Sequence, residues 1–125
     1  MGIKQTSLGH FPPEAAHNVA LGQGGSVYTT ASSDAIKPPT DRNFVAIQML
    51  TDTVFDSSNG LVATDASGYV NTETAAHDQA GGSETASYGS GGQVVDSVTF
   101  PAGITIFGRW SEIDISSGSI IAYLG

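Results

Sequence analysis

Apolar and polar residues alternate most regularly in the last third of the chain, which predicts β-strands there. The alternation runs through Val94–Phe100 and again through Trp110–Ile115, with the period of two that a half-buried strand requires. Ile104–Phe107, between these two stretches, is predicted as a further short strand. Gly108 follows it and is expected to mark a bulge or bend.

A tight reversal is predicted at Ser117-Gly118, because small and flexible residues separate two apolar stretches there. Before the reversal, the predicted strand Trp110–Ile115 has Ile113 pointing inward. After it, Ser119–Tyr123 has the composition of a strand. The sequence therefore predicts an antiparallel hairpin from these two segments.

A second group of strands is predicted in the middle of the chain. Asn43–Leu50 is rich in β-forming residues and apolar on both faces, as expected for a centrally buried strand. Thr51–Phe55 continues in β-prone residues, Asp56–Gly60 supplies a turn, and Leu61–Thr64 is a plausible partner strand. With six to eight short strands in total, the predicted fold class is all-β: a small antiparallel β-sandwich or barrel, with a jelly-roll-like arrangement as one option.

Residues 1–42 are predicted to form an extended N-terminal arm, because Gly and Pro interrupt this segment too often for long elements. Ser26–Thr30 is its one candidate strand. An arm cannot bury isolated apolar residues by itself, so it is either disordered or lies on a neighbouring subunit. The residues proposed to anchor it on a neighbouring subunit are Phe11, Val19, Leu21 and Tyr28.

Residues 43–125 are predicted as a β domain interrupted by a long Gly/Ser-rich loop at about 65–92. Small strand pieces are considered around Tyr69-Val70. Loops of this length are uncommon in compact domains and are often interaction surfaces or mobile. The loop is interpreted as part of one domain, since 125 residues suit a single core.

Charge and composition exclude several classes of function. The chain has net charge −8 with four Lys and Arg residues, which argues against binding to nucleic acid or to anionic membranes. It has no cysteine, so disulfides and thiolate metal sites are excluded. Met1–His10 lacks the apolar run of a signal peptide, and no apolar stretch is long enough for a membrane span. The expectation is a protein that is made and used in soluble form, or one that leaves the cell by a route other than secretion.

The histidines and loop carboxylates offer little chemistry. His10, His17 and His77 lack the fixed scaffold and supporting partners of a metal or acid–base site. A calcium site is weighed and set aside, because no regular series of oxygen ligands is present. The loop carboxylates considered for it are Asp52, Asp56, Asp65, Glu73, Asp78 and Glu84. Gly22–Gly25 and Gly89–Gly92 are interpreted as flexible connectors, since no helix or Lys-Ser/Thr follows them.

Two pairs of residues on one strand are the remaining candidates for a site. Arg109 and Trp110 resemble a sugar-binding platform, although a lone Trp in an alternating strand favours a core position. Glu112 and Asp114 share the outward face, and paired carboxylates are typical of glycosidases. An outward Glu-x-Asp on a strand is more often a solvated or edge-guarding face. The sequence therefore predicts no catalytic residue, no cofactor and no metal.

The segment from Val98 to Tyr123 resembles the C-termini of small virion proteins of tailed bacteriophages. The resemblance rests on the turn Phe100-Pro-Ala-Gly103, the strand after it, and the closing Ser117-Gly-Ser-Ile-Ile-Ala-Tyr123. Phe44–Phe55 resembles the first core strand of the same group, so that roughly a third of the chain is covered. Members often have a basic residue after the final Tyr, where this chain has Leu124-Gly125.

The resemblance implies a non-enzymatic virion structural protein, most specifically a capsid decoration (cement) protein or the base of a head fibre. Such a protein sits on the capsid exterior, commonly as a homotrimer, and binds the major capsid protein. Two alternatives remain open. One is a carbohydrate-binding or adhesion module of a phage fibre, using Trp110, Tyr88 and the Gly/Ser loop; the other is a neck or tail component. A small glycosidase based on Glu112 and Asp114 is the least favoured hypothesis.

Overall fold

The computed structural model describes residues 24–76 and 91–125. These ranges contain β-strands and no helix, so the all-β prediction is confirmed. The strands are β1 (Ser26–Thr30), β2 (Phe44–Met49), β3 (Val54–Phe55), β4 (Leu61–Ala63), β5 (Thr105–Ile113), β6 (Ile115–Ser117) and β7 (Ser119–Leu124).

The strands form two antiparallel sheets. The larger has the order β1-β7-β2-β5-β4, and the smaller consists of β3 and β6. The outermost strands of the larger sheet, β1 and β4, do not pair with each other, so this sheet is open. Of the two architectures expected, the layered arrangement of a sandwich is the one present.

One face of the larger sheet packs with the smaller sheet into a single apolar core. Phe55 of the smaller sheet meets Phe100 edge to face, with ring centroids 5.4 Å apart. Burial of large aliphatic and aromatic side chains of this kind is the main stabilising contribution in a small domain. The buried members of the core are Phe44, Ile47, Met49, Phe55, Leu61, Trp110, Ile113, Ile115, Ile120, Ala122 and Leu124.

Trp110 is the largest fully buried side chain. Its indole N–H donates a 2.8 Å hydrogen bond to the carbonyl oxygen of Val70, so its only polar group is satisfied inside the protein. Gly108 lies beside it, and a Cβ at that position would come within 2.9 Å of the indole ring. Between Phe107 and Trp110, β5 has one residue more than the facing part of β2. The predicted bulge at Gly108 and the predicted core position of Trp110 are both confirmed.

The hairpin predicted around Ser117-Gly118 is wrong. The chain does reverse there, but β6 pairs with β3 and β7 pairs with β1 and β2. The cause lies at Asp114, whose N–H bonds to Gly60 and whose carbonyl accepts from Asp56. This residue interrupts the expected strand and transfers the chain to the smaller sheet, so the turn connects the two sheets.

The strand predicted over Val94–Phe100 is also wrong. Within it, only Phe100 makes a β-bridge, exchanging backbone hydrogen bonds of 2.9 and 2.8 Å with Thr53. Val95 packs against the core from a loop, and its N–H bonds to the carbonyl of Asn71 at 3.0 Å. The apolar residues serve as loop anchors, which an alternation pattern cannot distinguish from a strand.

Residues 24–42, the described part of the predicted arm, belong to the sheet. The strand expected at Ser26–Thr30 is present and pairs with β7 along its whole length. Ile36 exchanges backbone hydrogen bonds of 2.8 and 3.0 Å with Ile113, and the Arg42 guanidinium bonds to the carbonyl of Gly24. The boundary predicted at residues 42 and 43 therefore divides one continuous structure.

The described part of the predicted Gly/Ser loop is fixed by one buried side chain. Residues 65–76 contain no strand, including around Tyr69-Val70. Asn71 is fully buried, and its amide donates to the carbonyls of Ala66 and Tyr69 at 3.0 and 2.8 Å. Its oxygen accepts the N–H groups of residues 73 and 74. All polar atoms of this side chain are thereby satisfied, as burial demands.

Gly118→Ala is expected to destabilise the protein more than Gly103→Ala, by about 1–3 kcal/mol. Both glycines have positive φ, +99° and +95°, so each substitution carries the same cost of left-handed backbone. A Cβ at Gly118 would also collide with the carbonyl of Asp52 and with Thr53, whereas one at Gly103 meets nothing within 4 Å. Urea unfolding measures both variants, and equal destabilisation would contradict the steric account.

Candidate functional site

The face of the larger sheet that points away from the core is the candidate contact surface, and we call it the outer face. Directly opposed residues on neighbouring strands lie on the same face of a sheet, so the pairing register defines its members. They form a patch across four strands and do not include β4. The outer face consists of Ser26, Tyr28, Thr30, Ala46, Gln48, Thr105, Phe107, Ser119, Ile121 and Tyr123.

Two rows of side chains cross the strands on this face. Each row takes one residue from β1, β7, β2 and β5, so residues distant in sequence become neighbours. The first row is Tyr28, Ile121, Gln48 and Thr105. The second row is Ser26, Tyr123, Ala46 and Phe107.

Two aromatic rings of the outer face are unusually accessible. Phe107 is 76% exposed and Tyr28 is 63% exposed. Between them, the Tyr123 hydroxyl donates a 3.2 Å hydrogen bond to Gln48 Oε1, which holds that ring on the sheet. Together with the half-buried Ile121 and Tyr123 on β7, these rings give the outer face the apolar character of a surface that binds another molecule.

None of the ten residues that the register places on the outer face is charged, although the chain as a whole has net charge −8. The exposed Arg109 lies two residues beyond Phe107 on β5, at the border of this patch. The cores of protein interfaces are depleted in charge and enriched in Tyr and Phe, because desolvating an ion is costly. Its polar members have only hydroxyl and amide groups. The composition of the outer face is therefore that of an interface core.

One of the residues predicted from the sequence to make a contact lies on this surface, and the contact itself stays a prediction. Tyr28 was predicted as a contact residue and lies on the outer face, although on a strand of the sheet. The other predicted anchors, Phe11, Val19 and Leu21, lie outside the described residues. Phe107 was missed as a contact residue. The period of two offered a signal for it, because the half-buried Ile106 packs against the core and places its neighbour outside.

The residues of the sugar-binding hypothesis are not gathered into a platform. Trp110 is fully buried, so its ring presents no face to a ligand. Arg109, its neighbour on β5, is exposed. Tyr88 lies outside the described residues. The interpretation that depended on Trp110 is therefore wrong for that residue.

Carboxylates converge near the end of β5. The pKa of Asp114 is raised from its ordinary value of 3.8, first by burial and then by repulsion from Asp56, Glu112 and Asp34. Two of these neighbours belong to other segments of the chain, so folding brings the negative charges together. In the described ranges, no group of three acidic, His or Cys side chains is arranged to hold a metal ion.

The other loop carboxylates accept hydrogen bonds from the protein itself. Asp52 accepts the N–H of Ala102 at 2.9 Å, and Asp65 accepts the N–H and hydroxyl of Ser67. Glu73 accepts the N–H of Asn59 at 2.8 Å. Asp65 therefore stabilises a local turn, whereas Asp52 and Glu73 join segments that are distant in sequence. The remaining candidates, His10, His17, His77, Asp78 and Glu84, lie outside the described residues.

Comparison with family models, with curated proteins and with solved structures gives no match to this chain. In residues 24–76 and 91–125, no helix has the length and apolar character that crossing a membrane requires. Function is therefore inferred from the outer face and from the sequence resemblance.

Asp114→Asn is expected to stabilise the folded protein at pH 7 by a few tenths of a kcal/mol, a small gain because solvent screens this site. Since the pKa of Asp114 is raised on folding, the folded state binds more protons than the unfolded chain just above pH 3.8. The contribution of Asp114 to the free energy of unfolding therefore falls as the pH rises from about 3.8 through its raised pKa. The gain should disappear well below pH 3.8, where both states are protonated, and shrink in high salt.

Asp41→Asn is the matched control, because it removes the same charge away from the cluster. Asp41 has φ +65°, a conformation that Asn also tolerates. Urea unfolding at several pH values compares the two variants. A gain of equal size in both would contradict the local repulsion and point to net charge alone.

Proposed function

We propose that this chain is a non-enzymatic virion structural protein that contacts the major capsid protein through its outer face, as a capsid decoration (cement) protein. The observation that carries the proposal is a patch of ten uncharged residues with two exposed aromatic rings, Phe107 and Tyr28, on a chain of net charge −8. The resemblance of Val98–Tyr123 to small virion proteins is the reason for proposing a phage capsid as the assembly that this face contacts.

The physical role is stabilisation by selective binding. A decoration protein binds the assembled shell and not its open form, so it shifts the equilibrium toward the shell by mass action. Copies repeated around a symmetry axis, as in the homotrimer that the resemblance favours, multiply weak contacts through effective concentration. A rigid antiparallel sheet suits this role because its side chains are held in place before contact.

The charge of the chain fits a position on the capsid exterior. A protein inside a DNA-filled shell meets phosphate groups and benefits from clustered Lys and Arg. This chain has twelve acidic residues against four basic ones. The proposal accordingly has it made in the host cytoplasm and added to the outside of the head. A neck or tail position is the alternative within the same class.

Phe107→Asp is expected to lower the affinity for capsids about 10-fold or more, because it places a charge at the most exposed ring of the proposed interface. The fold should persist, since this side chain is largely in solvent. Val98→Asp is the matched control: Val98 is 42% exposed but lies in the loop before Phe100, away from the outer face. Both variants make the same change of charge.

Binding is measured by adding purified protein to heads that lack it and counting the bound copies after sedimentation. Cryo-electron microscopy of decorated particles gives their position. Unchanged binding of Phe107→Asp would contradict the outer face as the contact surface. Density for the chain at the neck or tail would replace decoration by the alternative.

A further inference from the structure

The two edge strands of the larger sheet, β1 and β4, differ in how far their outward backbone groups are hydrogen-bonded. An edge strand presents a row of backbone N–H and C=O groups that can pair with another chain. At β4, this row is covered by the protein itself: Leu61 donates its N–H to Thr72 Oγ1 and accepts the N–H of Thr72, both at 3.0 Å. The strand has only three residues, so little of this edge remains.

On the β1 edge, Ser26 and Tyr28 have no such cover among the described residues, whereas the carbonyl of Thr30 accepts the N–H of Ser33 at 3.1 Å. Gly25 accepts the N–H of Leu124 at 2.9 Å, and Ala31 donates to Gly118 at 3.2 Å. Because the backbone groups of a strand alternate in direction, Ser26 and Tyr28 turn theirs away from β7. In residues 24–76 and 91–125, no hydrogen bond is found to these outward backbone groups.

The devices that keep sheet edges apart are missing from β1. Its sequence, Ser-Val-Tyr-Thr-Thr, has no Pro and no charged residue, and its register with β7 contains no bulge. Natural proteins guard exposed edges with such features because an unguarded strand pairs readily. Valine, tyrosine and threonine are also strong β-formers. The strand is therefore suited to accept a partner strand.

We propose that β1 pairs antiparallel with β1 of a second copy of this chain, about a two-fold axis beside Tyr28. Each Tyr28 then exchanges backbone hydrogen bonds with the other, and the N–H of Thr30 faces the carbonyl of Ser26. The two outer faces join into one surface with the two Tyr28 rings adjacent at its centre.

A second copy is the occupant that the edge chemistry favours. A two-fold contact uses the same surface on both partners, and β1 is the one unguarded edge of the larger sheet within the described residues. A contact from β1 to β4 of another copy would have to displace the bonds of Thr72. Two chains of net charge −8 repel, but the uncharged β1 lets their backbones approach without placing like charges opposite each other.

This pairing goes beyond the proposed function and does not depend on it. It uses the backbone edge of β1, whereas the capsid contact is tested at Phe107 on β5. Its two-fold symmetry also differs from the trimer that the resemblance implies. The state of the purified chain, without capsids, therefore tests it.

Tyr28→Pro is the decisive variant. Proline removes the N–H that points away from β7, so no hydrogen bond within the sheet is lost, and edge positions of this kind tolerate proline. Tyr28→Thr is the matched control, since it removes the ring but keeps the N–H and a β-forming side chain. Circular dichroism and melting temperature establish that both variants fold.

Sedimentation equilibrium over a range of concentrations gives the mass of each form. The full chain and Tyr28→Thr should form dimers, and Tyr28→Pro should need at least about 10-fold higher concentration to do so. Hydrogen exchange of the Tyr28 amide in the unmodified chain provides a second measurement. Its protection should increase with protein concentration.

Several results would overturn the pairing. They are a full chain that stays monomeric at millimolar concentration, a trimer unaffected by Tyr28→Pro, and protection of the Tyr28 amide that ignores concentration but disappears when residues 1–23 are deleted. The last would mean that the protein's own N-terminal segment occupies the edge. If Phe107→Asp loses capsid binding but still forms dimers, the pairing at β1 is supported. If the full chain forms dimers but does not bind heads, only the proposed function is refuted.

Discussion

The period of two along a β-strand ties the outer face to the core, and most of the structure depends on it. Burial of Ile47 and Met49 in β2 forces Gln48 outward, and burial of Ile120 and Ala122 does the same to Ile121. A slip of one residue in the strand pairing would exchange the two faces of the sheet. Burial of the apolar side chains in the core therefore fixes the register. In most half-buried sheets the outward residues are polar. Here β7 also has Ile121 and Tyr123 on its outward side, a composition that suits the contact proposed for the outer face.

Strands were predictable from the sequence where their composition is decisive, whereas their partners were not. Asn43–Leu50 became β2 and Ser26–Thr30 became β1, because β-branched and aromatic residues dominate both. The hairpin at Ser117-Gly118 failed because a two-residue reversal is compatible with pairing on either sheet. The decision is made at Asp114, by hydrogen bonds to residues more than fifty positions away. Alternation along one segment contains no information about such bonds.

The candidate site was harder to predict for the same reason. Tyr28 could be identified as an apolar residue without a local partner. Its placement beside Ile121 and Gln48 depends on a register across three strands that are distant in sequence. Phe107 looked like part of an ordinary strand until the depth of Ile106 and Trp110 determined which side faced the solvent. Composition thus led to the hypothesis of a contact protein, and the pairing of the strands was needed to propose a surface for it.

The contacts proposed at the outer face and at the β1 edge are of complementary kinds. A face of aromatic side chains contributes by burying apolar area and tolerates variation in how the partner is oriented. A strand edge contributes directional hydrogen bonds, which fix orientation but add little net free energy each. Joined at β1, two copies would present their aromatic rows together, so each contact with a shell would raise the effective concentration of the next. The carboxylates near Asp114 belong to neither surface. Forming either contact would therefore not add to the electrostatic repulsion among them.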